Sequence, residues 1–201
     1  MNPACTHIID DDEAIRDALE WLFKTRGVPC RSWASAEAFL ADWRGDWRGC
    51  VVLDIRMQGM SGLECFDELL ARGCRLPVIF ITGHGDVPMA VAALKKGAFH
   101  FIEKPFNDHD LVDLVEKALA TDDERLRAAA SRETIEARLA TLTQREREVM
   151  ELILEGKYNK VIADDLSISM RTVEAHRSRI FEKMEVRSAV ELAQLLTTLR
   201  T

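Results

Sequence analysis

Nowhere in the 201 residues does an apolar run approach the roughly 18–20 residues that a membrane-spanning helix requires. A secretory signal is not expected, because Met1 to Ile9 has neither a basic start nor a long apolar core. The five cysteines, Cys5, Cys30, Cys50, Cys65 and Cys74, are odd in number and never spaced as CxxC. They read as free thiols of a reducing cytoplasm, with no zinc site and no disulfide framework. There is no G-x-G-x-x-G and no Walker loop, which argues against a nucleotide enzyme. Proline and glycine are missing from Ala120 to Leu142, where good helix formers take over and a continuous helix is expected, with Ser131 as its one candidate break.

What is present fits an ordinary soluble globular protein, 47% hydrophobic and 30% charged. The length allows two small domains. The net charge of −7 is unevenly spread. Residues 1–120 hold 19 acidic against 13 basic side chains, and residues 143–201 hold ten of each. The relatively basic C-terminal part permits nucleic-acid binding there without showing it.

The stretch from Cys50 to Met57 organises the first part. Val51, Val52 and Leu53 form a short apolar run that ends in a carboxylate, Asp54. Such runs read as buried strands of a parallel sheet, and ligand chemistry gathers beyond their carboxyl ends. Further strands, a short one at Thr6–Ile9, a weak one at Val28–Trp33, and others at Val78–Ile81 and Phe99–Ile102, alternate with stretches of helical spacing. Ile15, Leu19, Leu22 and Phe23 mark one helix, Ser35 caps a short second one carrying Phe39 and Leu40, and Leu63, Phe66, Leu69 and Leu70 mark a third with those four inward. A further helix is expected from Asp86 to Gly97, and one opened by Asn107. Five strands and five helices in alternation predict an α/β fold, a flavodoxin-like (βα)5 doubly wound parallel sheet.

In that order the strand ends bring Asp10, Asp11, Asp54, Thr82 and Lys104 into one crevice. Three packed carboxylates repel one another unless a cation intervenes. With oxygen ligands alone the cation should be hard, and Mg2+ fits, since it binds one or two carboxylates and bridges to phosphate. Lys104 and Thr82 are placed to hold the other oxygens of a phosphoryl group, with Asp54 as nucleophile.

Ile8-Ile9-Asp10-Asp11, Val52-Leu53-Asp54, Met60-Ser61-Gly62, Ile81-Thr82-Gly83 and Glu103-Lys104-Pro105-Phe106 resemble the receiver domain of two-component response regulators. The resemblance implies that Asp54 is the phosphoacceptor. It implies that Asp11 binds the metal directly, Asp10 through water, and the backbone carbonyl of Arg56 as a third ligand. Thr82 and Phe101 match the switch pair, Lys104 the phosphate-contacting lysine, and Lys104-Pro105 the place of a cis peptide. One departure is Gln58, where the family usually has proline. A haloacid-dehalogenase-like phosphohydrolase would want a second aspartate where Arg56 stands. His84, between glycines, reads as an exposed loop residue, and Trp21, Trp33, Trp43 and Trp47 are not spaced as a stacking platform.

Residues 121–142 read as a helical linker and residues 143–201 as an all-α, four-helix domain. Thr143-Gln144-Arg145-Glu146 has capping-box spacing. A short helix from Asn159, a tight turn at Ser167-Ile168-Ser169 and a helix with Val173, His176, Ile180 and Met184 on its inner face predict helix-turn-helix. Asn159-Lys160-Val161-Ile162-Ala163 and Arg171-Thr172-Val173-Glu174-Ala175-His176-Arg177 resemble the LuxR-type output domain. Nearly the whole chain is thus similar to the NarL/FixJ class, and the segment Gly83 to Ala90 is similar to its FixJ branch. The resemblance implies base contacts from Glu174, Ala175 and Ser178, and DNA contacts from Arg171 and Thr172. Arg177, Arg179, Lys183 and Lys160 are phosphate-contact candidates. The expected partners are a sensor histidine kinase, a double-stranded DNA operator, a second copy of the chain on phosphorylation, and RNA polymerase, with no membrane involved.

Overall fold

The structure, a computed structural model, describes residues 3–83 and 87–199. His84, Gly85 and Asp86 lie outside the described residues, and with them the loop reading of His84, part of the FixJ-like segment and the start expected for the fourth helix. The chain forms two compact units, Met1–Leu126 and Arg127–Thr201.

The first unit alternates β1 (Cys5–Ile9), α1 (Glu13–Thr25), β2 (Cys30–Trp33), α2 (Ala36–Asp42), β3 (Gly49–Asp54), α3 (Gly62–Ala71), β4 (Val78–Thr82), α4 (Val87–Lys95), β5 (His100–Glu103) and the start of α5 (Asp108–Ala140). The strands lie in the order β2-β1-β3-β4-β5, and every pairing is parallel. This is the flavodoxin-like doubly wound sheet that the alternation predicts. Every residue of β3 is buried, which explains its unbroken apolar run. Side chains alternate across the sheet. Ile9, Val51, Leu53 and Phe80 face one apolar layer with Phe39 and Phe66. Ile8, Val52, Ile79 and Ile81 face the other, with Leu19, Phe23, Leu111 and Val115.

Side-chain caps open the helices. Asp12 opens α1 by accepting from the Ala14 amide at 2.9 Å. Ser61 and Glu64 close a capping box on α3. The inward line of α3 is Gly62, Cys65, Phe66 and Leu69. Leu70, expected inside, is 42% exposed, because 100° of rotation carries it past that line and Cys65 takes the inner place. α5 runs unbroken through Ser131.

The second unit contains the end of α5, then α6 (Gln144–Leu154), α7 (Asn159–Asp165), α8 (Met170–Met184) and α9 (Ala189–Thr197). Its core joins Ile135, Val149, Ile153, Ile162, Val173, Ile180, Met184 and Leu192. Thr143 and Glu146 form the predicted capping box.

Candidate functional site

β1, β3 and β4 end together, and each end delivers a polar residue into the interior. Asp10, Asp54 and Thr82 are 3%, 6% and 1% exposed. Lys104, just past β5, binds the ends together. Its ammonium donates to Asp10 Oδ2 and to Asp54 Oδ1, both at 2.9 Å. Its own amide donates to the Thr82 carbonyl at 2.6 Å. The Lys104-Pro105 peptide is cis. Asp54 Oδ2 accepts from the Arg56 amide at 2.7 Å. Asp10 Oδ1 accepts from the Asp12 amide at 2.9 Å.

Burial lifts the Asp54 carboxyl above the ordinary aspartate range, with the Lys104 contact acting the other way and the Asp10 charge adding to the rise. Burial pulls the Lys104 ammonium down, and its bonds to Asp54 and Asp10 outweigh that and leave it raised. The result is a cation held between two desolvated carboxylates.

Asp11 lies at the rim, exposed, and its Oδ2 accepts from the Gln58 amide at 2.9 Å. Among the described residues, no three acidic, histidine or cysteine side chains are gathered closely enough to hold a metal. The donor set at this end is nonetheless all oxygen: the carboxylates of Asp10, Asp11 and Asp54 and the carbonyl of Arg56. That chemistry suits a hard divalent cation. Phe101 is half-buried on β5, paired in register with Phe80.

Gly62 is a part of the site that strand-end reasoning undervalues. A Cβ there would lie 2.1 Å from the Asp54 carbonyl oxygen, so only glycine lets α3 begin against the strand that carries Asp54. Its amide donates to the Ile55 carbonyl at 3.0 Å. The glycine itself, two residues past Met60, is the signal.

In the second unit, Ser169 caps α8 by accepting from the Thr172 amide at 3.1 Å. Val173, Ile180 and Met184 are fully buried, and His176 is half-buried on the same side. Arg171, Thr172, Glu174, Ala175, Ser178 and Arg179 are exposed, as is Lys160 on α7. Arg177 is half-buried, with its guanidinium 5.3 Å over the Phe181 ring. Lys183 makes bonds within the unit that its place on the helix did not foretell. Its ammonium donates to Glu146 Oε2 at 2.7 Å and to the Thr141 carbonyl at 2.9 Å. Glu146 is only 2% exposed, and its carboxyl is held below the usual range by the Lys183 bond. A buried carboxylate needs a partner, and Lys183 meets that need.

A doubly wound sheet with carboxylates, a hydroxyl and a lysine at its carboxyl edge, joined to a helix-turn-helix unit, defines a receiver coupled to a DNA-binding domain. Comparison with known proteins agrees. Residues 6–116 match the family described as response regulator receiver domain, and residues 140–196 match bacterial regulatory proteins, luxR family. The C4-dicarboxylate transport transcriptional regulatory protein DctR of Rhodobacter capsulatus is 52% identical over 191 residues, covering 94% of this chain and 97% of that protein. The transcriptional regulatory protein FixJ of Azorhizobium caulinodans is 46% identical over 189 residues, covering 94% of this chain and 90% of that protein. Among solved structures, the response regulator StyR superposes with a TM-score of 0.86 at 38% identity, covering 98% of this chain and 99% of that one. Full-length FixJ from B. japonicum gives 0.63 at 39%, covering 100% and 98%. The chain belongs to the two-component response regulators, in the NarL/FixJ class, and is a DNA-binding transcription regulator. Among the described residues no helix is long and apolar enough to cross a membrane.

Proposed function

We propose that Asp54 accepts a phosphoryl group from a sensor histidine kinase and that its charge state governs operator binding by α8. The observation that carries this reading is the Lys104 ammonium bonded at 2.9 Å to both Asp10 and Asp54. It is a cation already positioned where three new anionic oxygens would arrive. An Asp54 carboxylate oxygen attacks phosphorus, the phosphorus–nitrogen bond of the phosphohistidine breaks, and the imidazole leaves with the electron pair and takes a proton. Lys104 then serves the phosphoryl oxygens instead of the Asp54 carboxylate. Thr82 is the hydroxyl at the neighbouring strand end, and Phe101 the ring on the next strand that follows its movement.

Receiver domains generally use Mg2+, and here Asp10, Asp11, Asp54 and the Arg56 carbonyl would hold it. Bound, it would supply positive charge for the transferring oxygens. Asp54 and Asp10 are anchored by backbone amides, which leaves their orientation independent of the ion.

The rest of the function divides between residues 1–120 as receiver, 121–142 as linker and 143–201 as output domain. Phosphorylation promotes a homodimer through α4 and β5. The exposed Val91, Leu94 and Lys95 on α4 support that face. In the operator complex, Glu174, Ala175 and Ser178 face bases while Arg171, Thr172, Arg177, Arg179 and Lys160 meet the backbone. RNA polymerase is the further partner that transcription control requires, and the cytoplasm the compartment. Acetyl phosphate with Mg2+ should label the protein, and chelation or Asp54→Asn should abolish the label. Mg2+-independent labelling of the Asp54→Asn protein would overturn the assignment.

A further inference from the structure

Between β3 and α3 the chain runs through Ile55-Arg56-Met57-Gln58-Gly59-Met60-Ser61, with no proline to stiffen it. This loop carries the Arg56 carbonyl, so whatever holds the loop also places that oxygen. Its backbone amides are collected by carboxylates from separate elements. The Arg56 amide goes to Asp54 and the Gln58 amide to Asp11. The Ser61 amide donates to Glu64 Oε2 at 2.9 Å within the capping box of α3. The Met60 amide donates at 2.8 Å to Glu37 Oε1, a side chain of the first turn of α2. Glu37 is exposed, and bonds from its own backbone and from the Met60 amide hold its carboxyl below the usual glutamate range.

Gly59 is fitted to this contact. Its φ is +77°, and a Cβ there would lie 2.7 Å from Glu37 Oε1. Glycine supplies both the left-handed turn and the room for the carboxylate.

These acceptors are not equivalent. Asp54 and Asp11 belong to the reacting end of the sheet, and a cation drawing on Asp11 competes with the Gln58 amide for it. Glu64 holds the far end of the loop, where α3 begins. Glu37 stands outside the oxygen set of Asp10, Asp11, Asp54 and the Arg56 carbonyl, so its bond to Met60 can persist while Asp11 turns away. We propose that Glu37 is a positioning residue of the phosphoacceptor site, holding the β3–α3 loop so that the Arg56 carbonyl stays available to a divalent cation. The inference rests on the reading of Asp54 and its neighbours as a Mg2+-dependent phosphoacceptor site. In the free protein the loop has both the Asp11 and the Glu37 ties, and a cation removes the first. Without Glu37 both are gone once the cation binds, and the cost falls on cation affinity.

The test uses the full chain, with calorimetric titration of Mg2+ and labelling by acetyl phosphate. Glu37→Ala should weaken Mg2+ binding about fivefold, the factor that one hydrogen bond to an exposed carboxylate is worth. The Mg2+ concentration for half-maximal labelling should rise by the same factor, with the maximal rate changed much less. Glu37→Gln keeps an oxygen that accepts from the Met60 amide and should bind Mg2+ as the wild type does. Hydrogen exchange at the Met60 amide, measured without Mg2+, should quicken in Glu37→Ala and not in Glu37→Gln. Asp54→Asn should weaken Mg2+ binding in the same titration. Unchanged Mg2+ affinity in Glu37→Ala beside a weakened Asp54→Asn would overturn the inference alone. So would a Glu37→Gln protein as weak as Glu37→Ala, since charge and not the hydrogen bond would then carry the effect. Mg2+ affinity indifferent to Asp54→Asn would overturn the reading of the site and this inference with it.

Discussion

The Gln58 amide donates to the Asp11 carboxylate at 2.9 Å, a bond that the usual proline at this position could not make. Asp11 is thereby held against its own loop. A cation recruiting Asp11 has to compete with that amide. Gln58→Pro should therefore tighten Mg2+ binding, by about fivefold for a bond worth roughly 1 kcal/mol at an exposed carboxylate. Calorimetric titration with Mg2+ checks this, and unchanged or weaker affinity would sink it.

Lys183 should behave as a structural residue rather than as a DNA contact. Lys183→Ala leaves the buried Glu146 carboxylate without its cation. The output unit should lose about 2 kcal/mol, less than a fully buried pair because Lys183 is one-third exposed. Arg179→Ala should leave stability unchanged and lower the salt slope of DNA binding by about one unit. Thermal unfolding and binding at several salt concentrations separate the two.

Glu174 is exposed on the outer face of α8, where its carboxylate can accept from a cytosine amino group. Glu174→Ala should relax preference at one base pair in each half-site and cost the best site about 1–3 kcal/mol. Selection from a randomised operator pool gives the answer. Uniform weakening across all sequences would instead place Glu174 on the backbone.

His7 should make the receiver acid-sensitive. Burial lowers its pKa from 6.5 to about 4, with the Arg48 backbone acting against the fall and the Arg31 charge adding to it. Between those values the unfolded chain binds more protons than the folded one. Stability is thus complete above about pH 6.5 and is lost as pH falls through the folded value, by on the order of 3 kcal/mol. All four tryptophans lie in the first unit, so their fluorescence during urea unfolding follows it alone. His7→Phe should flatten the dependence between pH 6.5 and pH 4; an undiminished slope would assign it elsewhere.

Phosphorylation should turn monomer into dimer through α4. Moving a two-state switch from 1% to 99% requires about 5.5 kcal/mol of differential stabilisation. Leu94 is 46% exposed on that helix. Beryllofluoride should double the sedimenting mass of the wild type, and Leu94→Asp should prevent the change. A dimer that survives Leu94→Asp would move the interface off α4.

Local chemistry decided much of this protein by itself. The apolar runs ending in Asp54 and Thr82 read as buried strands of a parallel sheet. Ser61, Asp12 and Thr143 opened helices because their oxygens reach the first free amides. The inner face of α8 followed from the 3.6-residue period. Partners distant in sequence were a different matter. Periodicity ranks faces but sets no limit to a face, so Leu70 fell outside. A basic residue on a polar helix reads as available until its neighbours are known, and only packing brought Lys183 to the buried Glu146. His7 lies in β1 and Trp47 forty residues later, and nothing in their spacing foretold a stacked pair beside an unpaired imidazole. Such contacts depend on which strand lies beside which, a choice made by burying both faces of the whole sheet at once.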